Sequence, residues 1–99
     1  MKKLPLRHRL LLERPTGGPL EWVTIAQVWA SIEPISGTES VSADRLAPRT
    51  LHQLRMRHRR GVTPDMRFRL GTRNFHIVSI INEGEREKYL VCRVEERAP

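Results

Sequence analysis

The stretch 50–70, Thr-Leu-His-Gln-Leu-Arg-Met-Arg-His-Arg-Arg-Gly-Val-Thr-Pro-Asp-Met-Arg-Phe-Arg-Leu, constrains this chain more than any other. His52, Leu54, Met56 and His58 alternate with Gln53, Arg55, Arg57 and Arg59. A period of two with apolar residues on one side is the pattern of a strand with one buried and one wet face. Gly61 and Pro64 interrupt it with turn chemistry. The alternation then resumes, with Met66, Phe68 and Leu70 against Arg67 and Arg69. The direct reading is a β-hairpin with arginines along its outer face.

The remaining segments are cut to match. Residues 4–12 alternate with leucines and His8 on the even positions, and Pro5 favours an edge. The turn 15–19 leads into a strand over 22–35, with Val28, Ala30 and Ile32 on one face and Gln27, Trp29, Ser31 and Glu33 on the other. Its β-branched content favours strand over helix. Residues 75–81 are apolar in both phases, the signature of a strand buried on both faces. A last strand alternates Leu90, Cys92 and Val94 with Tyr89, Val91 and Arg93, ahead of a charged tail, 95–99. These signals predict an all-β fold, a small six-stranded antiparallel β-barrel formed by one domain, 1–99. The predicted core is Leu10, Val28, Ile32, Leu54, Met56, Phe68, Ile77 and Leu90.

The one long connection lies between strands 2 and 3. Residues 36–49 are polar, bounded by Gly37 and Pro48, with a single helical turn conceivable over 41–46. A loop of that length in so small a chain points to function. Its contact candidates are Gly37, Glu39, Val41, Asp44, Arg45, Leu46 and Arg49, joined by the outward ladder Arg55, Arg57 and Arg59.

Charge narrows the partners. The formal net charge is +7, and 15 of the 18 basic residues are arginine. Arginine forks match carboxylates and phosphates. Nine of them fall between positions 45 and 73 beside one acid, Asp65, whereas 83–97 carries five Glu against four basic residues. One side of the domain is therefore expected to be positive. An apolar fraction of 38% in 99 residues supports only a modest core, leaving room for burial against a partner.

Enzymatic readings find no support. No glycine-framed nucleophile turn surrounds Ser36, Ser40 or Ser42, and no glycine-rich phosphate cradle exists. His52 and His58 stand six residues apart on one face, too far to chelate a metal without other ligands. The lone cysteine, Cys92, excludes an internal disulfide and reads as a small buried hydrophobe. No catalytic residue, metal or cofactor is expected, and neither a signal peptide nor a membrane span is legible. A basic nucleic-acid-binding barrel of the Sm, SH3-like or oligonucleotide-binding type is the rival reading. Its weakness is five aromatics in all, two of them in the core phase, where stacking on single strands needs several exposed rings.

The order of short motifs resembles a known family. Leu-Arg-His-Arg-Leu opens the chain, with Glu13-Arg14-Pro15 after Leu12. Val28-Trp29-Ala30-Ser31-Ile32-Glu33-Pro34 and Ser36-Gly37 follow, then the polar loop, His52, residues 55–59, Gly61-Val62-Thr63-Pro64-Asp65-Met66-Arg67, and Phe75-His76-Ile77. In this order, over residues 6–92, they resemble the head–tail joining proteins (head–tail adaptor, head-closure or stopper proteins) of tailed bacteriophages and phage-like gene-transfer particles. The turn 16–19 is shorter than in many relatives. The resemblance implies a β-barrel that assembles with itself into a ring at the head–tail junction of the virion. Its implied partners are the portal or adaptor protein on the head side, the tail terminator or completion protein on the tail side, and packaged double-stranded DNA. Assembly would take place in the bacterial cytoplasm, without a membrane.

Overall fold

The computed structural model describes residues 4–18, 21–35 and 50–97. They form six strands: β1 (His8–Pro15), β2 (Trp22–Pro34), β3 (Thr50–Arg57), β4 (Arg67–Leu70), β5 (Arg73–Asn82) and β6 (Tyr89–Arg97). All pair antiparallel, in the order β1-β2-β3-β6-β5-β4, and β4 returns to β1 to close a barrel. Closure leaves the short strand β4 hydrogen-bonded on both sides, and no strand is unpaired along the whole of either side, which limits the edges that invite aggregation.

The alternation decides what fills the barrel. Leu10, Leu12, Val28, Ala30, Leu54, Met56, Phe68, Phe75, Ile77, Leu90, Cys92 and Val94 point inward and are buried. Ile32 packs against this cluster but stays half-buried. Phe68 and Phe75 are direct cross-strand partners, both fully buried. Truncating either to Ala costs about 3–5 kcal/mol. Burial pushes the Cys92 thiol up to about 12, so the group is a neutral core side chain.

Four expectations are corrected. Residues 50–70 are not a hairpin: β3 pairs with β2 and β6, β4 pairs with β1 and β5, and the two stand on opposite sides of the barrel. The connection 58–66 spans that separation, with Val62 packed on the core and Met66 buried. The first strand begins at His8, not at residue 4. In β5 a register shift between Ile77 and Ser79 inserts an extra residue and reverses the phase. Ile80 therefore packs inward and Ile81 is exposed, as Val78 is in the unshifted phase, so β5 is not buried on both faces. The charged tail 95–99 is strand up to Arg97, with Glu95 buried and Glu96 paired to both β3 and β5.

Candidate assembly surface

The barrel has two ends. One carries the turns β1–β2 and β5–β6 and the connection 58–66; the other gathers the start of β1, the turn β4–β5, the end of β6, and Ile35 with Thr50, the residues flanking 36–49. At this second end the inward phase turns polar. Arg73 grips the Glu96 carboxylate with Nε to Oε2 at 2.8 Å and Nη2 to Oε1 at 2.9 Å. His52 Nε2 lies 2.9 Å from the same Oε1. Below them the Phe75 ring meets the His52 ring edge-on at 5.4 Å and the Arg73 guanidinium at 4.9 Å. This cluster lids the core. The Arg73 hydrogen bonds hold the Glu96 carboxyl below its ordinary value, against the opposing effect of burial and with help from His52.

The outer face over β1 and β4 is a closed electrostatic unit. Arg67 Nε donates to Glu13 Oε1 at 2.7 Å and Arg69 Nε to Oε2 at 2.9 Å. Burial pushes the Glu13 carboxyl up, but the hydrogen bonds and charges of Arg69 and Arg67 outweigh it and hold the group below its ordinary value. Arg67 also stacks on Trp22 at 4.2 Å, and Trp22 meets His76 edge-on at 5.6 Å. Burial, then the charges of Arg97 and Arg67 acting against Glu95, keep His76 below its ordinary pKa and hence neutral near pH 7.

The face over β2 and β3 differs. Arg55 is drawn inward: its Nε donates to Glu83 Oε1 at 3.0 Å and its guanidinium lies 3.7 Å from the Tyr89 ring. Only 12% of its side chain is exposed. Arg57 and Arg59 are exposed, Arg57 at the end of β3 and Arg59 beyond it in the connection. Beside them Trp29 is 54% exposed, with the Arg9 guanidinium 6.0 Å from its ring. Grooves flank the indole on both sides. One, of about 400 Å³, is lined by Leu4, Pro5, Leu6, Arg55, Arg57 and Tyr89 together with Trp29. The other, of about 230 Å³, lies towards Gln27 and Arg57, His58 and Arg59.

Of the sequence-derived contact candidates, Arg55, Arg57 and Arg59 thus fall in one region, with Arg55 committed to its own chain. Gly37, Glu39, Val41, Asp44, Arg45, Leu46 and Arg49 lie outside the described residues, as does the helical turn over 41–46. Trp29 was missed as a site residue. Its signal was present, since a tryptophan in the outward phase of a strand is unusual without a partner. Among the described residues no group of three or more His, Cys, Asp or Glu is placed to hold a metal ion.

A small closed barrel with ion-paired outer faces and one exposed aromatic flank has the build of an assembly module. The model of the phage head completion protein family matches residues 1–97, and the chain belongs to that family. It is a structural protein of a phage-like particle, and its place is the virion. Among solved structures, a chain described as part of the virion of a native gene transfer agent (GTA) particle superposes with a TM-score of 0.78. Sequence identity is 24%, and the match covers 97% of this chain and 98% of that one; the likeness is one of fold. No protein of curated function matches the sequence significantly.

Proposed function

We propose that copies of this chain form a ring in the head–tail connector, between the portal or adaptor protein and the tail completion protein. There they help to retain packaged DNA and to attach the tail. The family match over residues 1–97 carries this reading. The physical character of the barrel agrees with it. A modest core is sufficient for a subunit that buries more surface on assembly. A net charge of +7, carried mostly by arginine, suits both carboxylates on neighbouring proteins and sequence-blind proximity to duplex DNA. Loop residues 36–49 are proposed to meet a neighbouring ring; the residues that flank them, Ile35 and Thr50, lie at the barrel end that carries the Arg73–Glu96–His52 lid.

The rival reading, a barrel that stacks single-stranded nucleic acid, loses ground on the aromatics. Phe68 and Phe75 are fully buried, Arg67 covers Trp22, and Arg55 covers Tyr89. Trp29 alone among the five is more than half exposed, which is no platform for successive bases.

The test is genetic and biochemical. Purified particles should contain the chain in a fixed multiple of the portal copy number. Deleting its gene should yield heads that package DNA but leak it and carry no tails. Normal tailed particles from the deletion would overturn the connector assignment.

A further inference from the structure

The large exposed apolar side chains are not scattered evenly around the barrel. Trp29, on β2, is 54% exposed, and Val78 and Ile81, on β5, are 50% and 58% exposed. In the order β1-β2-β3-β6-β5-β4, strands β2 and β5 are three positions apart in either direction. They are diametrically opposed. Two unlike apolar patches on opposite flanks are what a subunit needs to join head-to-tail, whereas a two-fold dimer needs one self-complementary patch.

Each flank is built differently. On the β2 side, only residues 30–34 pair with β3, so the stretch from Trp22 to Trp29 hydrogen-bonds β1 alone and presents its other edge. Arg9, Arg57 and Arg59 surround the indole there. On the β5 side, Val78 points outward in the phase set by the inward Phe75 and Ile77, and the extra residue between Ile77 and Ser79 reverses that phase so that Ile81 points outward as well. The chain then enters a strained turn in which Glu85 and Glu87, both exposed, adopt positive φ of 57° and 56°. The side-chain carbonyl of Asn82 pins this turn by accepting the Glu87 N–H at 2.9 Å. Strain of this kind persists where a segment must be presented in one shape. The turn leans onto the end of β3, where the Lys88 carbonyl accepts the His58 N–H at 2.9 Å and Glu83 pairs with Arg55. The β5 flank itself therefore presents Val78, Ile81 and, opposite Ser79, the exposed Arg93, whereas the β2 flank is basic.

We propose that the Trp29 flank of one copy seats on the Val78–Ile81 flank of the next. The occupant of the β2 face is thus a second copy of this chain, and the contact repeats around the ring. This rests on the ring reading above and adds which two faces meet. Duplex DNA is a poor occupant for the β5 flank, because it offers nothing to an exposed isoleucine and valine.

Cross-linking in assembled particles tests it. Trp29→Cys and Ile81→Cys are combined in one chain and treated with a short bis-maleimide. Cys92 is fully buried and stays silent. The double variant should give a ladder rising one subunit mass at a time, and neither single variant should give one. A dimer from either single variant would mean a two-fold contact and overturn the proposal. No ladder from the double variant, while glutaraldehyde still ladders this chain, would leave the ring standing and remove these faces from it. No ladder with either reagent would sink the ring reading itself. Should the cysteine variants not enter particles, Trp29→Glu and Ile81→Glu are each co-expressed with the wild-type chain. Each keeps one good face and should cap growing arcs, lowering the yield of tailed particles with the melting temperature unchanged. Unaltered yield from both would overturn the proposal.

Discussion

On β4, Arg67 and Arg69 turn outward and both end on one carboxylate, Glu13, which is 4% exposed on the neighbouring strand β1. On β3, Arg55 and Arg57 turn outward in the same phase, yet Arg55 is folded onto Tyr89 and Glu83 while Arg57 is left in solvent. The two ladders are alike in sequence, Arg-Met-Arg and Arg-Phe-Arg. Their difference lies in what the adjacent strand or turn supplies at the same height. Where a carboxylate is within reach, the arginine is architecture. Where none is, the arginine is available to another molecule. Outward charge on a strand is therefore no guide to an interface until strand neighbours are known.

The largest expected effect is on the β4 side. Glu13→Ala leaves two guanidiniums facing each other, one of them 17% exposed, and breaking a buried pair in this way costs about 3 kcal/mol, the low end of its range because Arg69 is partly exposed. Thermal denaturation should show a fall in Tm of more than about 10 °C for a chain this size. An unchanged Tm would mean that the Glu13 network is decoration and the contrast between the ladders is false.

Acid should reach the same network more gently. Glu13 and Glu96 both have folded-state pKa values depressed below the ordinary 4.5. Their contribution is full above the unfolded value and is lost as pH falls through the lower folded values. His76 adds a loss at milder acidity, because its folded pKa lies below 6.5 and the unfolded chain takes up the proton first. Denaturant midpoints should therefore decline from about pH 6.5 downward and more steeply below about pH 4.5. In Glu13→Gln the lower step should shrink. A midpoint flat down to pH 4 in the wild-type chain would contradict the assignment for His76.

Strand positions and the inward phase were legible because period-two alternation is a local signal. Leu54, Met56 and Phe68 could be assigned to the core without knowing their neighbours. Pairing was not legible in the same way. Residues 58–66 read as a turn because Gly61 and Pro64 punctuate them, but Val62 and Met66 are the apolar cover of a crossing from β3 to β4. The bulge in β5 left no trace in an apolar run where Ile80 and Ile81 are interchangeable on paper. Glu95 and Glu96 looked like a solvated tail, since the partners of Glu96 lie 23 and 44 residues away at Arg73 and His52. The ladder Arg55, Arg57 and Arg59 was found by its pattern, and its division into committed and open members needed Glu83 and Tyr89 in place.

A smaller effect separates the members of the β3 ladder. Arg55→Ala removes a partly exposed ion pair and a cation–π contact, together about 1 kcal/mol. It should lower Tm by a few degrees and release the turn bearing Glu83, read as faster amide exchange at residues 83–88. If Arg55→Ala left stability untouched while abolishing particle assembly, Arg55 would belong with the open arginines.

The smallest effect on the fold, and the sharpest test of the comparison, is expected at Arg57. Its side chain has solvent on one side and the Trp29 grooves on the other, and surface substitutions of this kind stay within about 0.5 kcal/mol. Arg57→Glu should thus match the wild-type melting curve. In particles the outcome should be opposite if Arg57 faces an acidic neighbour as proposed, because reversing its charge would replace attraction with repulsion at the same distance. The expected result is a folded protein that no longer enters tailed particles, with Arg57→Lys restoring part of the yield by keeping the charge without the planar fork. Glu13→Ala and Arg57→Glu then form a crossed pair: one loses stability first, the other loses assembly with stability intact. Normal tailed particles from Arg57→Glu would show that this arginine is merely solvated, and the β3 ladder would hold no interface at all.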